Sequence, residues 1–196
     1  MEMLMLGVGV GFDTLGKDLK VRKPNKHIRS KHVVADSREG WVECLKLTMM
    51  PYFSDNHWCD FDYSKVRPAG AIIKTFGGTA SGPEPLRRLV GDVRRVLNER
   101  VSQSLGEAAI VDVINLIGKC VIAGNVRRSA EAGLGLDSTE FHGLKGHEGH
   151  AKVWDHNDDG EPNSYIANHR WCSNNSVVNP KRYEDISQRI VGGDRS

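Results

Sequence analysis

One stretch limits what this chain can fold into more than any other: Arg67-Pro68-Ala69-Gly70-Ala71-Ile72-Ile73-Lys74-Thr75-Phe76-Gly77-Gly78-Thr79-Ala80-Ser81-Gly82-Pro83-Glu84-Pro85. It carries four glycines, three prolines, two cations and three hydroxyls (Thr75, Thr79 and Ser81). Glycine and proline at that density interrupt regular structure. A basic helical pattern begins immediately afterwards. A glycine-rich loop that feeds a helix exposes backbone N–H groups and suits a phosphate. The same composition suits a long surface turn, so from these residues alone both readings stand.

Length and composition bound the rest. At 196 residues the chain has the size of one domain, or of one large piece of a domain. With 39% hydrophobic and 27% charged residues it reads as globular and slightly polar. A net charge of +2 gives no broad surface for nucleic acid or membrane. Cys44, Cys59, Cys120 and Cys172 lie far apart and form no C-x-x-C pair, which argues against a zinc site and a thioredoxin-like motif. Reduced thiols in a cytoplasmic protein are the expectation. Met1 to Phe12 is apolar and glycine-rich, lacks a basic leader, and is too short to span a bilayer. It reads as a buried segment entering a glycine turn, as though the chain began inside a core element of a longer protein.

Periodicity places the main elements. Residues 16–32 are basic and contain proline, and read as a loop or extended excursion. Asp36 with Glu39 three residues on suggests a capping box, followed by an apolar stripe of Trp41, Val42, Leu45 and Met49 that Pro51 ends. An aromatic and acidic stretch over 52–65 leads into a short strand. Pro83 and Pro85 suit the first turn of the next helix, whose stripe is Leu86, Leu89, Val90, Val93 and Leu97. Arg87, Arg88, Arg94 and Arg95 fall mainly on its other faces. A second helix spans about Gly106 to Ile122, with Ile110, Val113, Ile114, Ile117 and Val121 inward, and Gly124 or Asn125 able to cap it. A loop and a strand follow over 126–136.

Two further glycine-bearing loops accompany the first. Gly7-Val8-Gly9-Val10-Gly11 lets a backbone approach a flat ligand, yet Phe12 stands where a dinucleotide fingerprint needs glycine. A tight turn explains it equally well. Gly124-Asn125-Val126-Arg127-Arg128-Ser129 places two guanidinium forks after a helix end, suited to phosphates and equally to solvent at a helix C-terminus.

Together, the order of the loops resembles the large catalytic chain of ribonucleotide reductases, and more narrowly the adenosylcobalamin-dependent (class II) ribonucleoside-triphosphate reductases. The matching stretches are Met5 to Thr14, Asp36 to Trp41, Phe61 to Ser64 running into Val66-Arg67-Pro68-Ala69-Gly70, Gly77 to Leu86, Ile117 to Ala130, and Arg170-Trp171 with Ser173-Asn174-Asn175-Ser176-Val177. The resemblance implies an α/β fold, part of a ten-stranded barrel with a helical insertion. It implies a barrel strand and substrate turn over 1–14, the class II insertion over 15–60, a barrel strand with specificity loops and helices over 61–142, a variable loop over 143–169, and the start of the next barrel segment over 170–196. Gly7, Val8, Gly9, Val10 and Gly11 would line the ribonucleoside triphosphate substrate. Arg67, Lys74, Gly77, Gly78, Thr79 and Ser81 would serve the deoxynucleoside triphosphate effector. Gly124, Asn125, Val126, Arg127, Arg128 and Ser129 would couple effector to substrate.

The implied chemistry is cobalamin-initiated thiyl-radical reduction, with thioredoxin as the reductant and the remaining segments of the enzyme as partners. The family's radical cysteine sits in Asn-x-Cys-x-Glu. Here Val42, His57, Gly118 and Arg170 stand two residues before the four cysteines, and Lys46, Phe61, Ile122 and Asn174 two residues after. None fits, so no catalytic residue is assigned. The family's reducing and radical cysteines, and most cobalamin contacts, would lie outside this chain. With about four strands the barrel cannot close, and exposed apolar surface is expected. A non-catalytic nucleotide-binding module derived from the family is the alternative.

His142, His147, His150, His156 and His169 cluster with acids. Asp155, Asn157 and Asp159 before Gly160 resemble the start of a calcium loop, but Ile166 occupies the twelfth position, which needs a bidentate glutamate. No metal site is assigned, and a solvated variable loop is expected.

Overall fold

The computed structural model describes residues 1–54, 57–73, 77–123, 130–135 and 170–177, with positions 138, 141 and 144. A short helix α1 (Glu2–Met5) leads into strand β1 (Val10–Asp13) and a 3-10 turn at Leu15–Asp18. Strand β2 (Asn25–Val33), helix α2 (Arg38–Phe53) and strand β3 (His57–Asp62) follow. Helices α3 (Glu84–Glu99) and α4 (Gly106–Ile122) precede strand β4 (Glu131–Gly135), and a 3-10 turn at Arg170–Cys172 enters strand β5 (Ser173–Val177).

Two parallel sheets result. One has the order β1-β4-β5, and the other pairs β2 with β3. Parallel neighbours need long crossovers, which the helices supply. The α/β class expected from the sequence is therefore observed. α4 carries apolar residues nearly all round and is covered on both sides. Its Val111 packs with Phe12, Phe141 and Val177 on the sheet side. Its Val113, Leu116 and Ile117 join the main core with α3 and α2. All five expected stripe residues of α3 are buried. Each contributes roughly 1.5–3 kcal/mol of transfer free energy. The Tyr52 hydroxyl donates to Asn98 Oδ1 at 3.0 Å, pinning α2 to α3.

Four local expectations change. Of residues 3–12, only Leu4 is buried, while Met3, Leu6 and Val8 are exposed, because one turn of helix presents only one side to the core. Ser37 caps α2 in place of Asp36, its Oγ accepting from Gly40 N at 3.0 Å, and frees Asp36 for an ion pair. Pro51 lies inside α2, which continues to Phe53. The basic excursion contains a nine-residue strand, β2, whose Arg29 and Lys31 pair with Asp60 and Asp62 of β3 at 3.5 and 3.0 Å.

Arg94, expected on an outer face of α3, turns toward β3. Its guanidinium lies 4.0 Å from the Trp58 ring centroid, and Nη2 donates to the Cys59 carbonyl at 2.5 Å.

Candidate functional site

The first glycine turn is built by a helix end. Gly7 has φ of 80°, a conformation glycine adopts without Cβ strain. Gly7 N donates to Leu4 O and Val8 N to Met3 O, the paired bonds of a Schellman cap that ends α1. Val10 N then donates to Ala130 O at 2.9 Å, and Gly9 lies against Ala130. The first loop and the position immediately after the third are thus joined at one edge of the sheet. Gly124 to Ser129 themselves lie outside the described residues.

Among the described residues, the sheet has one covered and one bare face. Phe12, Gly133 and Asn175 share a face with Glu131, whose carboxyl lies against Gly118 of α4. On the opposite face Gly11, Ala132 and Asn174 stand in register across the three strands, followed by Asp13, Leu134 and Ser176. All six are exposed, and a Cβ at position 11 would meet nothing within 4 Å. Gly11 and Ala132 leave little side chain in one row, which lets a flat ligand lie close to the backbone there.

Three buried or half-buried acids hold this sheet to α4 and its surroundings. Glu107 Oε1 accepts from Thr14 Oγ1 at 2.8 Å at the end of β1, and Oε2 accepts from Ser138 Oγ. Arg170, entering β5, donates through Nε and Nη2 to both oxygens of Asp112 at 2.7 and 2.9 Å, and through Nη1 to Leu144 O at 3.3 Å. Glu131, 4% exposed, has neither oxygen hydrogen-bonded among the described residues. Burial pushes its carboxyl up to about 7. Sequence reading assigned no role to Glu107, Asp112 or Glu131. The available signal was the all-round apolar pattern of residues 106–122: a helix buried on both sides must find partners for its polar residues.

The second loop is a finger. Gly70 N donates to Ala80 O and Ala80 N to Ala71 O, at 2.9 and 2.8 Å. Gly77 N donates to Ile73 O and Ile73 N to Gly78 O, both at 3.0 Å, and Ile72 bridges to Thr79 in antiparallel fashion. These bonds close within the finger, so its backbone donors at 70, 73, 77 and 80 are already used. Gly77, Gly78 and Thr79 are exposed at its end, while Ser81 and Arg67 are half-buried at its base. Lys74 lies outside the described residues. Arg67 Nε donates to Asp36 Oδ2 at 2.6 Å, tying the base of the finger to the start of α2.

The cysteines take no part in this arrangement. Burial pushes the thiols of Cys44 and Cys120 up to about 12, so both keep their protons at neutral pH. Burial also raises the nearby Tyr63 hydroxyl and lowers the Arg94 guanidinium. Among the described residues no group of three His, Cys, Asp or Glu side chains could hold a metal, and no helix is long and apolar enough to cross a membrane. His142, His147, His150, His156 and His169, and the Asp155–Gly160 stretch, lie outside the described residues.

A parallel sheet with one face under a two-sided helix and, among the described residues, one face bare, entered through a glycine turn, is an α/β arrangement. Comparison with known proteins narrows that class. A family model described as "B12-dependent ribonucleotide reductase, insertion domain" matches residues 13–97. The adenosylcobalamin-dependent ribonucleoside-triphosphate reductase of Euglena gracilis is 39% identical over 195 residues, covering 97% of this chain and 25% of that protein. The enzyme of the same name from Lactobacillus helveticus is 41% identical over 167 residues, covering 81% of this chain and 20% of that protein. A crystal structure of a B12-dependent (class II) ribonucleotide reductase superposes with a TM-score of 0.66 at 29% identity, over 90% of this chain and 27% of that one. The chain belongs to the adenosylcobalamin-dependent, class II ribonucleotide reductase family. It spans about a quarter of the length of the relatives it matches.

Proposed function

We propose that this chain is the nucleotide-handling portion of an adenosylcobalamin-dependent ribonucleoside-triphosphate reductase, an oxidoreductase that makes deoxyribonucleotides. The observation that carries the reading is the bare sheet face at Gly11, Ala132 and Asn174, entered from the Gly7–Gly11 turn, in a chain related to these reductases over nearly its whole length. In this reading the ribonucleoside triphosphate lies along that turn and face, where missing side chains allow close backbone approach. The finger, with Arg67, Lys74, Gly77, Gly78, Thr79 and Ser81, contributes to a deoxynucleoside triphosphate effector site. Because the finger's backbone donors at 70, 73, 77 and 80 are used internally, its contribution comes from side chains and from its exposed end. Gly124 to Ser129, with Arg127 and Arg128, couple the two.

The insertion over 15–60 overlaps the stretch matched by the insertion-domain model, and Arg67–Asp36 joins it to the finger. Residues 61–142 and 170–196 contribute strands, specificity loops and helices to the family's ten-stranded barrel, with 143–169 a variable loop. Thioredoxin as reductant, the rest of the enzyme as partner and a cytoplasmic setting complete the proposal.

Adenosylcobalamin supplies radical initiation in the relatives that bear its name. The open apolar hollow of about 390 Å3 beside α2 does not fit it: its described walls offer Lys46 and Ser54 as polar side chains, too few to meet the amide fringe of a corrin. In this reading most adenosylcobalamin contacts belong to other parts of the enzyme.

The test is a titration of the folded chain with deoxynucleoside triphosphates. Saturable binding supports the effector assignment, and its absence removes it. A non-catalytic nucleotide-binding module derived from the same family is the second reading. Mixing the chain with the remaining segments, adenosylcobalamin and thioredoxin separates the two: restored deoxynucleotide formation supports the reductase, and inactivity despite assembly supports the module.

A further inference from the structure

The connection between α4 and β4 carries the loop that the proposed function uses to couple effector to substrate. Its two ends are described. α4 finishes at Ile122 and Ala123, and β4 begins at Glu131 with Ala130 just before it. Glu131 points back onto α4 at Gly118, one turn before the helix ends. A Cβ at position 118 would fall 2.6 Å from Oε1, 2.9 Å from Cδ and 2.9 Å from Oε2. That distance excludes any side chain at 118 while the carboxyl keeps its place. The helix and strand are therefore spaced by the carboxyl group of one residue resting on the bare backbone of another.

Among the described residues, the elements around this carboxyl give its oxygens no hydrogen-bond partner. α4 presents Gly118, with Asn115 one turn earlier on the same side, fully buried and with Oδ1 unpartnered. Lys119 is exposed to solvent. β1 and β5 place Val10 and Ser173 in register with Glu131, and neither titrates. α1 brings the Met1 amino group and Glu2. The amino group favours ionisation of Glu131, but burial outweighs it.

We infer that Glu131 is a positioning residue: a strut whose carboxyl, seated on Gly118, sets the spacing of the two ends of the coupling loop. The inference rests on the proposed function for what that loop does, and on the geometry alone for the strut itself. A neutral carboxyl fills the site without the desolvation cost of a buried charge. Ionisation would require water or a cation to enter, separating α4 from β4. The sign follows. The folded state holds its proton to about pH 7, whereas an unfolded glutamate releases it near 4.5, so this residue's contribution to stability is complete below pH 4.5 and is lost as pH rises through 7.

The test uses the full chain and three variants. Glu131→Gln keeps shape and remains neutral. The wild-type unfolding midpoint is expected to fall relative to this variant by about 5 °C or more between pH 5 and pH 8. Identical pH dependence would overturn the inference. Gly118→Ala is expected to accelerate amide exchange in 118–123 and 130–133. The double variant Gly118→Ala/Glu131→Asp, with a shorter acid, is expected to recover part of the protection. Unchanged exchange in Gly118→Ala would overturn the strut.

A third arm measures dATP affinity. A loss of about fivefold or more in Gly118→Ala, restored in the double variant, supports the coupling role. Unchanged affinity in Gly118→Ala rejects it. A wild type that binds no dATP rejects the functional reading instead, and the exchange and pH arms then decide the strut independently.

Discussion

Replacing Arg170 by Ala would test how β5 is held. The Arg170 fork makes two bonds to Asp112, at 2.7 and 2.9 Å, and a third to Leu144 O at 3.3 Å. The two side chains are only 15% and 11% exposed. Removing one partner of a buried pair costs about 3–5 kcal/mol, much of it from stranding the other charge. The residual exposure lets Asp112 recover some hydration, which places Arg170→Ala near the lower end, about 3 kcal/mol. Asp112→Asn leaves the fork a neutral acceptor and should cost less, about 2 kcal/mol. The double variant Arg170→Ala/Asp112→Asn strands no charge, so its cost should fall below the sum of the single losses by about 2 kcal/mol. In a chain of this length, 3 kcal/mol corresponds to a midpoint shift of roughly 6–12 °C. Urea unfolding provides the free energies, and amide exchange at 174–176 reports whether β5 loosens first. A coupling energy below about 0.5 kcal/mol would put the pair with solvent-exposed ion pairs and refute the reasoning.

Other perturbations check separate parts of the fold. Arg94→Lys keeps the charge but loses the planar stack on Trp58, and should cost about 1–2 kcal/mol with a change in tryptophan emission; a silent substitution would contradict the stacking. Gly82→Ala and Gly91→Ala should act in opposite directions. Gly82 has φ of 74° and a Cβ there would lie 2.9 Å from Ala69 N, so alanine should destabilise by about 1–3 kcal/mol. Gly91 lies inside α3 with open space around it, so alanine should stabilise by about 0.5–1 kcal/mol in the same urea titration. Iodoacetamide on the native chain should modify half-buried Cys172 before Cys44 or Cys120, whose thiols burial holds near 12; comparable rates by mass spectrometry would contradict that burial.

The elements written in local periodicity were legible. The α3 stripe of Leu86, Leu89, Val90, Val93 and Leu97 repeats every three or four residues, and all five are buried. The limits of α4, Gly106 and Ile122, were read from its apolar run and closing glycine stretch. The finger was legible only as an interruption. Its antiparallel closure depends on Gly70 meeting Ala80, and two prolines before a helix say nothing of that pairing. β2 was legible as extended chain but not as a strand, since its charged residues show no alternation and its pairing with β3 comes from across α2.

The sequence by itself determined the glycine turn, the two long helices and, through the order of its motifs, membership in the class II reductase family. Those properties depend on residues close together in the chain, or on a pattern that can be matched without knowing contacts. Only the tertiary structure decided which polar residues hold the sheet. Thr14 and Glu107 are 93 residues apart, and Asp112 and Arg170 are 58 apart. On a helix read in isolation, Glu107 and Asp112 look like a solvated face. They become internal because α4 is covered on both sides, where an acid must be paired, as these two are, or be pushed toward its neutral form, as burial pushes Glu131 against Gly118.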